Sequence, residues 1–188
     1  MATRRNIGRQ RHIRVTIHIV FHGPESTGKS TLVAQVAAHF GAPRVDEFGR
    51  TYCERYGTAL SHDDLLWIFA GHVDATHKAL AARPPLLISD TDPLMTQAWS
   101  RMLFYDRLPQ IDAWDDPADL YLVPALDLPW QDDGTRMFGS ASERGRFYDI
   151  AIDELDRRGL RWVRIAGNGD ARLAAALAAI NEAGLVGA

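Results

Sequence analysis

Apolar positions along this chain alternate between strand-length runs and stripes at helical spacing. Residues 14–21 (Arg-Val-Thr-Ile-His-Ile-Val-Phe) have the β-branched density of a buried strand. Residues 29–40 follow with Leu32, Val33, Val36, Ala37 and Phe40 on one helical face. Residues 43–48 read as a short strand ending in Asp46 and Glu47, and 49–56 as a helix or turn. Ser61 opens a longer helix with Asp64 at the capping-box position. Leu65, Phe69, Val73, Thr76 and Leu80 form its expected buried side, and Pro84-Pro85 closes it. Residues 86–89 are a third strand, running into Asp90-Thr91-Asp92, and Pro93 suits the first turn of a helix through Met95, Ala98, Trp99 and Met102. Residues 119–123 and 161–166 read as strands four and five, with helices over 142–158 and 170–181 and a turn at Gly167-Asn168-Gly169.

This alternation predicts an α/β fold, a parallel sheet wrapped by helices. No repeat, low-complexity tract or linker divides the chain, so residues 14–188 read as a single domain behind a frayed basic arm at 1–13. The polar, glycine-containing stretch that starts at 127 and carries arginines as far as 146 reads as a mobile lid.

Composition narrows the classes. At 188 residues and 46% hydrophobic, the chain can bury a full core. A net charge of −3 gives no reason to expect a nucleic-acid partner. No run reaches the roughly 18–20 apolar residues of a membrane span, and none is expected to bind a membrane. The run behind the basic N-terminus leads into the glycine loop and is not read as a signal peptide. The single cysteine, Cys53, excludes an internal disulfide and a Cys-based zinc site, so the cytoplasm is the expected compartment.

Residues 23–31, Gly-Pro-Glu-Ser-Thr-Gly-Lys-Ser-Thr, match G-x-x-x-x-G-K-[ST], with the strand before and the helix after that this phosphate loop requires. Gly23 and Gly28 let the backbone curl so that amides across Glu25, Ser26, Thr27, Gly28, Lys29, Ser30 and Thr31 turn toward phosphate oxygens. Lys29 reaches the β/γ-phosphates and Ser30 can ligate Mg²⁺, which makes ATP and Mg²⁺ the expected cofactors.

Other candidates fall beyond the carboxyl ends of the strands, where open α/β sheets bind ligands. Asp90 is placed to hold the metal with Ser30. Asp92 either caps the helix at Pro93 or contacts substrate. Glu47, with Arg50 behind it, can hold or deprotonate a hydroxyl, whereas Asp46 reads as a solvated turn charge. In the lid, Trp130, Asp132, Asp133, Arg136, Arg144 and Arg146 are the chemistry-bearing residues. Arg136 and Arg144 are expected on phosphate unless they pair with Asp132 and Asp133, and Arg146 reads as helix surface. Trp67 and Trp99, on helices, are expected in the core.

Together these motifs resemble the ribosylnicotinamide kinase domain of the NadR family. The matching pieces are the phosphate loop, Glu47-Phe48-Gly49-Arg50, Asp90-Thr91-Asp92 with Thr96-Gln97-Ala98, and Trp130-Gln131-Asp132-Asp133-Gly134-x-Arg136. The resemblance implies a P-loop kinase sandwich with a five-stranded parallel sheet in the order 2-3-1-4-5. It also implies ATP-dependent phosphorylation of the 5′-hydroxyl of nicotinamide riboside. Lys29, Glu47, Asp92 and Arg136 would be catalytic; Glu47, Arg50, Asp90, Asp92, Trp130, Asp132 and Asp133 would face the riboside. Another nucleoside as acceptor, or a nucleotide switch without one, are the alternatives, and the residues leave open whether Glu47 or Asp92 is the base.

Overall fold

The computed structural model describes residues 16–186, so the expected basic arm lies outside the described residues. A parallel five-stranded sheet is built from β1 (Ile17–Phe21), β2 (Arg44–Val45), β3 (Leu86–Asp90), β4 (Leu120–Pro124) and β5 (Trp162–Ile165). Their order is β2-β3-β1-β4-β5, as the motifs implied. Phe21 pairs with Asp90 on one side and Leu122 on the other. The central strands therefore end level, and the loops after them open along one edge.

Both sheet faces are covered, which is why the strands read as continuous apolar runs. Ile19, Phe21 and Ile88 point to the face packed by α1 (Lys29–Phe40) and α7 (Gly169–Glu182), where Leu32, Val36 and Ile180 are buried. Val20, Tyr121 and Val123 point to the other face, against Leu94 of α4 (Pro93–Leu103) and Leu155 of α6 (Ala141–Arg157). The result is a three-layer sandwich. Among the described residues no helix is long and apolar enough to cross a membrane.

Three local expectations are corrected. The second strand stops at Val45, and Phe48 already begins α2 (Phe48–Tyr56), leaving Glu47 at that helix's N-cap. On α3 (His62–Ala81) the Ser61–Asp64 capping box forms, but the buried positions are Leu65, Ile68 and His72. The helix is thus rotated from the expected stripe, because a histidine occupies part of its inward face. Trp67, on the side of the helix opposite both stripes, is 68% exposed instead of in the core. A short helix, α5 (Pro109–Asp112), was not anticipated, since four residues carry no usable periodicity.

Candidate active site

The loop between β1 and α1 is curled by three positive φ values, at Gly23 (126°), Ser26 (57°) and Gly28 (77°). Gly28 is the N-cap of α1 and offers no side chain to its first turn, so those amides stay open to an anion. The loop is tied from inside. Thr27 Oγ1 donates to the Pro24 carbonyl at 3.0 Å, and Lys29 Nζ donates to the same oxygen at 2.7 Å. Beneath it, the buried Arg172 of α7 donates to the carbonyls of Thr27 and Gly167 and pairs with Asp127. Ser30 and Thr31 are exposed at the loop's mouth.

Residues 127–140 carry no regular structure and lie against this loop; α6 begins at Ala141 behind a Ser140–Glu143 capping box, so Arg144 and Arg146 are helical. Glu25 Oε1 accepts from the Met137 and Phe138 amides at 2.7 and 2.9 Å, and Ser26 Oγ accepts from the Gln131 amide at 2.8 Å. Both residues are thus joined to the lid. Burial pushes the Glu25 carboxyl up, against the pull of those two amides and of Lys29 and Arg136. Arg144 donates to the Leu128 carbonyl at 3.0 Å, while Arg146 lies over the exposed Tyr105 ring at 4.5 Å.

Arg136 stands 3.3 Å from Ser26 Oγ, donates to the Gln131 carbonyl and pairs with Asp133 at 3.0 Å. Asp133 also takes Arg50 at 2.7 Å. Burial would raise the Asp133 carboxyl, but Arg50 and Thr135 outweigh it and hold it well below the usual carboxylate range. Asp132 is spent on its own turn, accepting from the Gly134 amide at 2.9 Å. Trp130 packs its ring against Gly139, where an added Cβ would lie 3.3 Å away.

Two cavities meet here. One, of about 360 Å³, is lined by Gly28, Lys29, Ser30 and Thr31 and is the phosphate side. The other runs under α2 and α3 and has Leu65, Ile68, His72, Thr91, Thr96 and Trp99 on its walls. Both are bounded by Glu25, Glu47, Arg50 and Arg136. The Glu47 side chain keeps 23% of its surface, with Arg50 at 3.7 Å. Enclosure by protein still dominates and raises its carboxyl above the ordinary Glu range; Asp90 pushes the same way, while Lys29 and Arg50 oppose.

The two aspartates after β3 part company. Asp90 is buried and its Oδ1 has no hydrogen-bond partner. Its free oxygen and the exposed Ser30 hydroxyl are both of the hard-oxygen kind that Mg²⁺ takes beside phosphate. Asp92 is buried with both oxygens engaged: Oδ1 caps α4 through the Leu94 amide at 3.0 Å, and Oδ2 accepts from the Tyr121 hydroxyl at 2.7 Å. Burial pushes its carboxyl up, but His22 and Tyr121 overcome that and lower it. Asp90, Asp92, Trp130, Asp132 and Asp133 are absent from the walls of either cavity; Glu47 and Arg50 line both.

Sequence reading missed His72, Thr91, Thr96 and Trp99 as wall residues. A signal existed for two of them: His72 interrupts an apolar helix face, and Thr96 is a polar residue among the inward positions of α4.

A phosphate loop at the head of a 2-3-1-4-5 sheet, with helices on both faces and a second cavity beside the loop, defines a P-loop domain of the kinase type. The chain belongs to the AAA domain family, whose model matches residues 18–172. Within that class it resembles NadR. The trifunctional NAD biosynthesis/regulator protein NadR of Escherichia coli K12 is 30% identical over 149 residues, which are 76% of this chain and 36% of that protein. The chain thus spans about a third of the length of the curated relatives it matches. A crystal structure of NadR protein in complex with NR superposes with a TM-score of 0.78 at 25% identity, over 93% of this chain and 53% of that one. Thymidylate kinase from Ehrlichia chaffeensis shares the fold alone, with a TM-score of 0.66 at 16% identity over 89% of this chain and 98% of that one.

Proposed function

We propose that this protein is an ATP-dependent phosphotransferase that phosphorylates the ribose 5′-hydroxyl of nicotinamide riboside. The observation that carries the reading is the pair of cavities bounded by the same four side chains, Glu25, Glu47, Arg50 and Arg136. A nucleotide switch has no need of the second cavity; a kinase requires an acceptor seat against its phosphate site.

In this reading Mg-ATP, when bound, supplies the γ-phosphoryl group, and Ser30 and Asp90 would hold the metal. Lys29 and Arg136 neutralise charge at the transferring oxygens, where most of the catalysis of such a reaction lies. Glu47 accepts the hydroxyl proton: its raised carboxyl is a better base than a solvated one, and Arg50 orients it. Glu25 and Glu47 make the seam acidic, which suits a cationic pyridinium riboside and opposes an acceptor that already carries phosphate. Trp99 offers the cation an aromatic wall. Asp92 acts as a positioning residue, fixing the start of α4 and with it Thr91 and Thr96.

Purified protein with Mg-ATP is expected to release ADP only when nicotinamide riboside is present, with the mononucleotide as product. Steady ATP hydrolysis that ignores every riboside would overturn the reading.

A further inference from the structure

On the wall of the acceptor cavity two buried hydroxyls lack protein partners, and a buried histidine lines the same wall. The Thr91 and Thr96 hydroxyls are both buried without a hydrogen bond. His72, 3% exposed, presents its imidazole to the same cavity, and among the described residues no hydrogen bond reaches its ring nitrogens. Buried polar groups are nearly always paired, and leaving one unpaired costs about 1–3 kcal/mol. Two such hydroxyls on one wall, with the His72 imidazole lining it, are a set of hydrogen bonds waiting for a ligand.

The surrounding structure holds them there. Thr91 sits at φ 67°, a left-handed conformation that a β-branched residue adopts only when its neighbours impose it. Its amide donates to the Phe21 carbonyl at 3.0 Å, and the next residue, Asp92, is locked as the cap of α4. Thr96 lies one turn into that helix. His72 is backed by Phe48, whose ring seats against α3 because residue 71 is glycine; a Cβ there would fall 2.3 Å from it.

We propose that His72, Thr91 and Thr96 form the recognition subsite for an uncharged head group that both donates and accepts hydrogen bonds, a primary carboxamide on the acceptor. The inference rests on the kinase reading above and deepens it. Each hydroxyl can donate or accept, and an imidazole with one protonated nitrogen does both, so the trio matches an amide's N–H₂ and C=O. A carboxylate offers acceptors only. It would also be buried near the negative charge of Asp92, which His72 senses. Burial holds the imidazole down to about 4, against the pull of Asp92, so His72 carries no charge at neutral pH to welcome an anion.

The test compares kcat/KM for pyridinium ribosides bearing a 3-carboxamide, a 3-carboxylate or no substituent. The carboxamide is expected to lead by roughly 10- to 100-fold, as the loss of one or two buried hydrogen bonds implies. Thr96→Val and His72→Leu should each collapse that ratio toward one, chiefly through KM, while Thr96→Ser should restore it. Equal kcat/KM for all three ribosides, or variants that slow all three alike, would overturn the subsite while leaving the kinase intact. The same ribosides are titrated calorimetrically in the presence of a non-hydrolysable ATP analogue. Amide-selective binding that Thr96→Val abolishes, without turnover, upholds the subsite and sinks the kinase reading; absence of any riboside binding sinks both.

Discussion

The phosphate loop and the acceptor cavity share a seam of four side chains, but they are made of different material. The loop is nine consecutive residues whose working atoms are backbone amides, shaped by positive φ at Gly23, Ser26 and Gly28. The cavity is made of side chains from α2, α3, α4, the β3–α4 junction and the lid. Backbone shape is specified locally and tolerates varied sequence around it. A side-chain wall is specified by how distant elements pack, and each of its members can be altered one at a time. Under the proposed function, the donor half would suit a phosphate chain common to all nucleotides and the acceptor half a particular substrate.

That division is best tested by striking each half separately. The largest effect is expected from Lys29→Met, on the order of a 1,000-fold fall in kcat, with riboside binding by calorimetry preserved. Loss of riboside binding as well would show that the halves are not separable. Glu47→Gln acts at the seam and should lower kcat roughly 100-fold while both ligands still bind. Its folding effect has the opposite sign. A carboxyl raised in the folded state favours folding only while protonated, and that contribution is lost as pH rises from the ordinary Glu range through the raised value. The Gln variant should therefore melt higher than the parent above that window and not below it, as pH-dependent thermal melts would reveal.

Arg136→Ala removes one charged contact to phosphate and should cost about 10- to 100-fold in kcat/KM, with little change in melting temperature. Asp92→Ala reverses that balance. It deletes a helix cap and strands the buried Tyr121 hydroxyl, about 2–4 kcal/mol together, or a fall in Tm of about 5–15 °C. Because the folded Asp92 carboxyl is lowered, its stabilisation is present above the ordinary Asp range and lost as pH falls through the lower folded value. In Asp92→Asn melts that acid-side decline should flatten. The smallest effect belongs to Trp67→Gln, within about 0.5 kcal/mol, since this tryptophan lies outside both halves.

The same division decided what could be read from the chain. The sheet order came through the family resemblance, whereas the glycine loop and the strand and helix on either side of it are local features, and they were legible. So was the option that Asp92 caps α4, because a proline follows it directly. The cavity wall was not, for a physical reason. Leu65, Ile68 and His72 become a wall only once α3 has chosen its rotation, and counting apolar residues gave a different one, through Phe69, Val73 and Leu80. In the lid, sequence proximity joined Asp132 and Asp133, but only packing shows that one closes a turn while the other gathers Arg50 and Arg136.

Arg172 carries a consequence for how the protein is made. Its guanidinium reaches from α7 to the carbonyl of Thr27, binding the last helix to the first loop. A nascent chain halted at residue 168 holds every residue of the glycine motif and both cavity walls, yet lacks the support under the loop. Nucleotide capture is thus expected to wait until α7 has docked beneath the loop. ATP-agarose retention of ribosome-stalled chains should switch on only once residues 169–182 have cleared the exit tunnel.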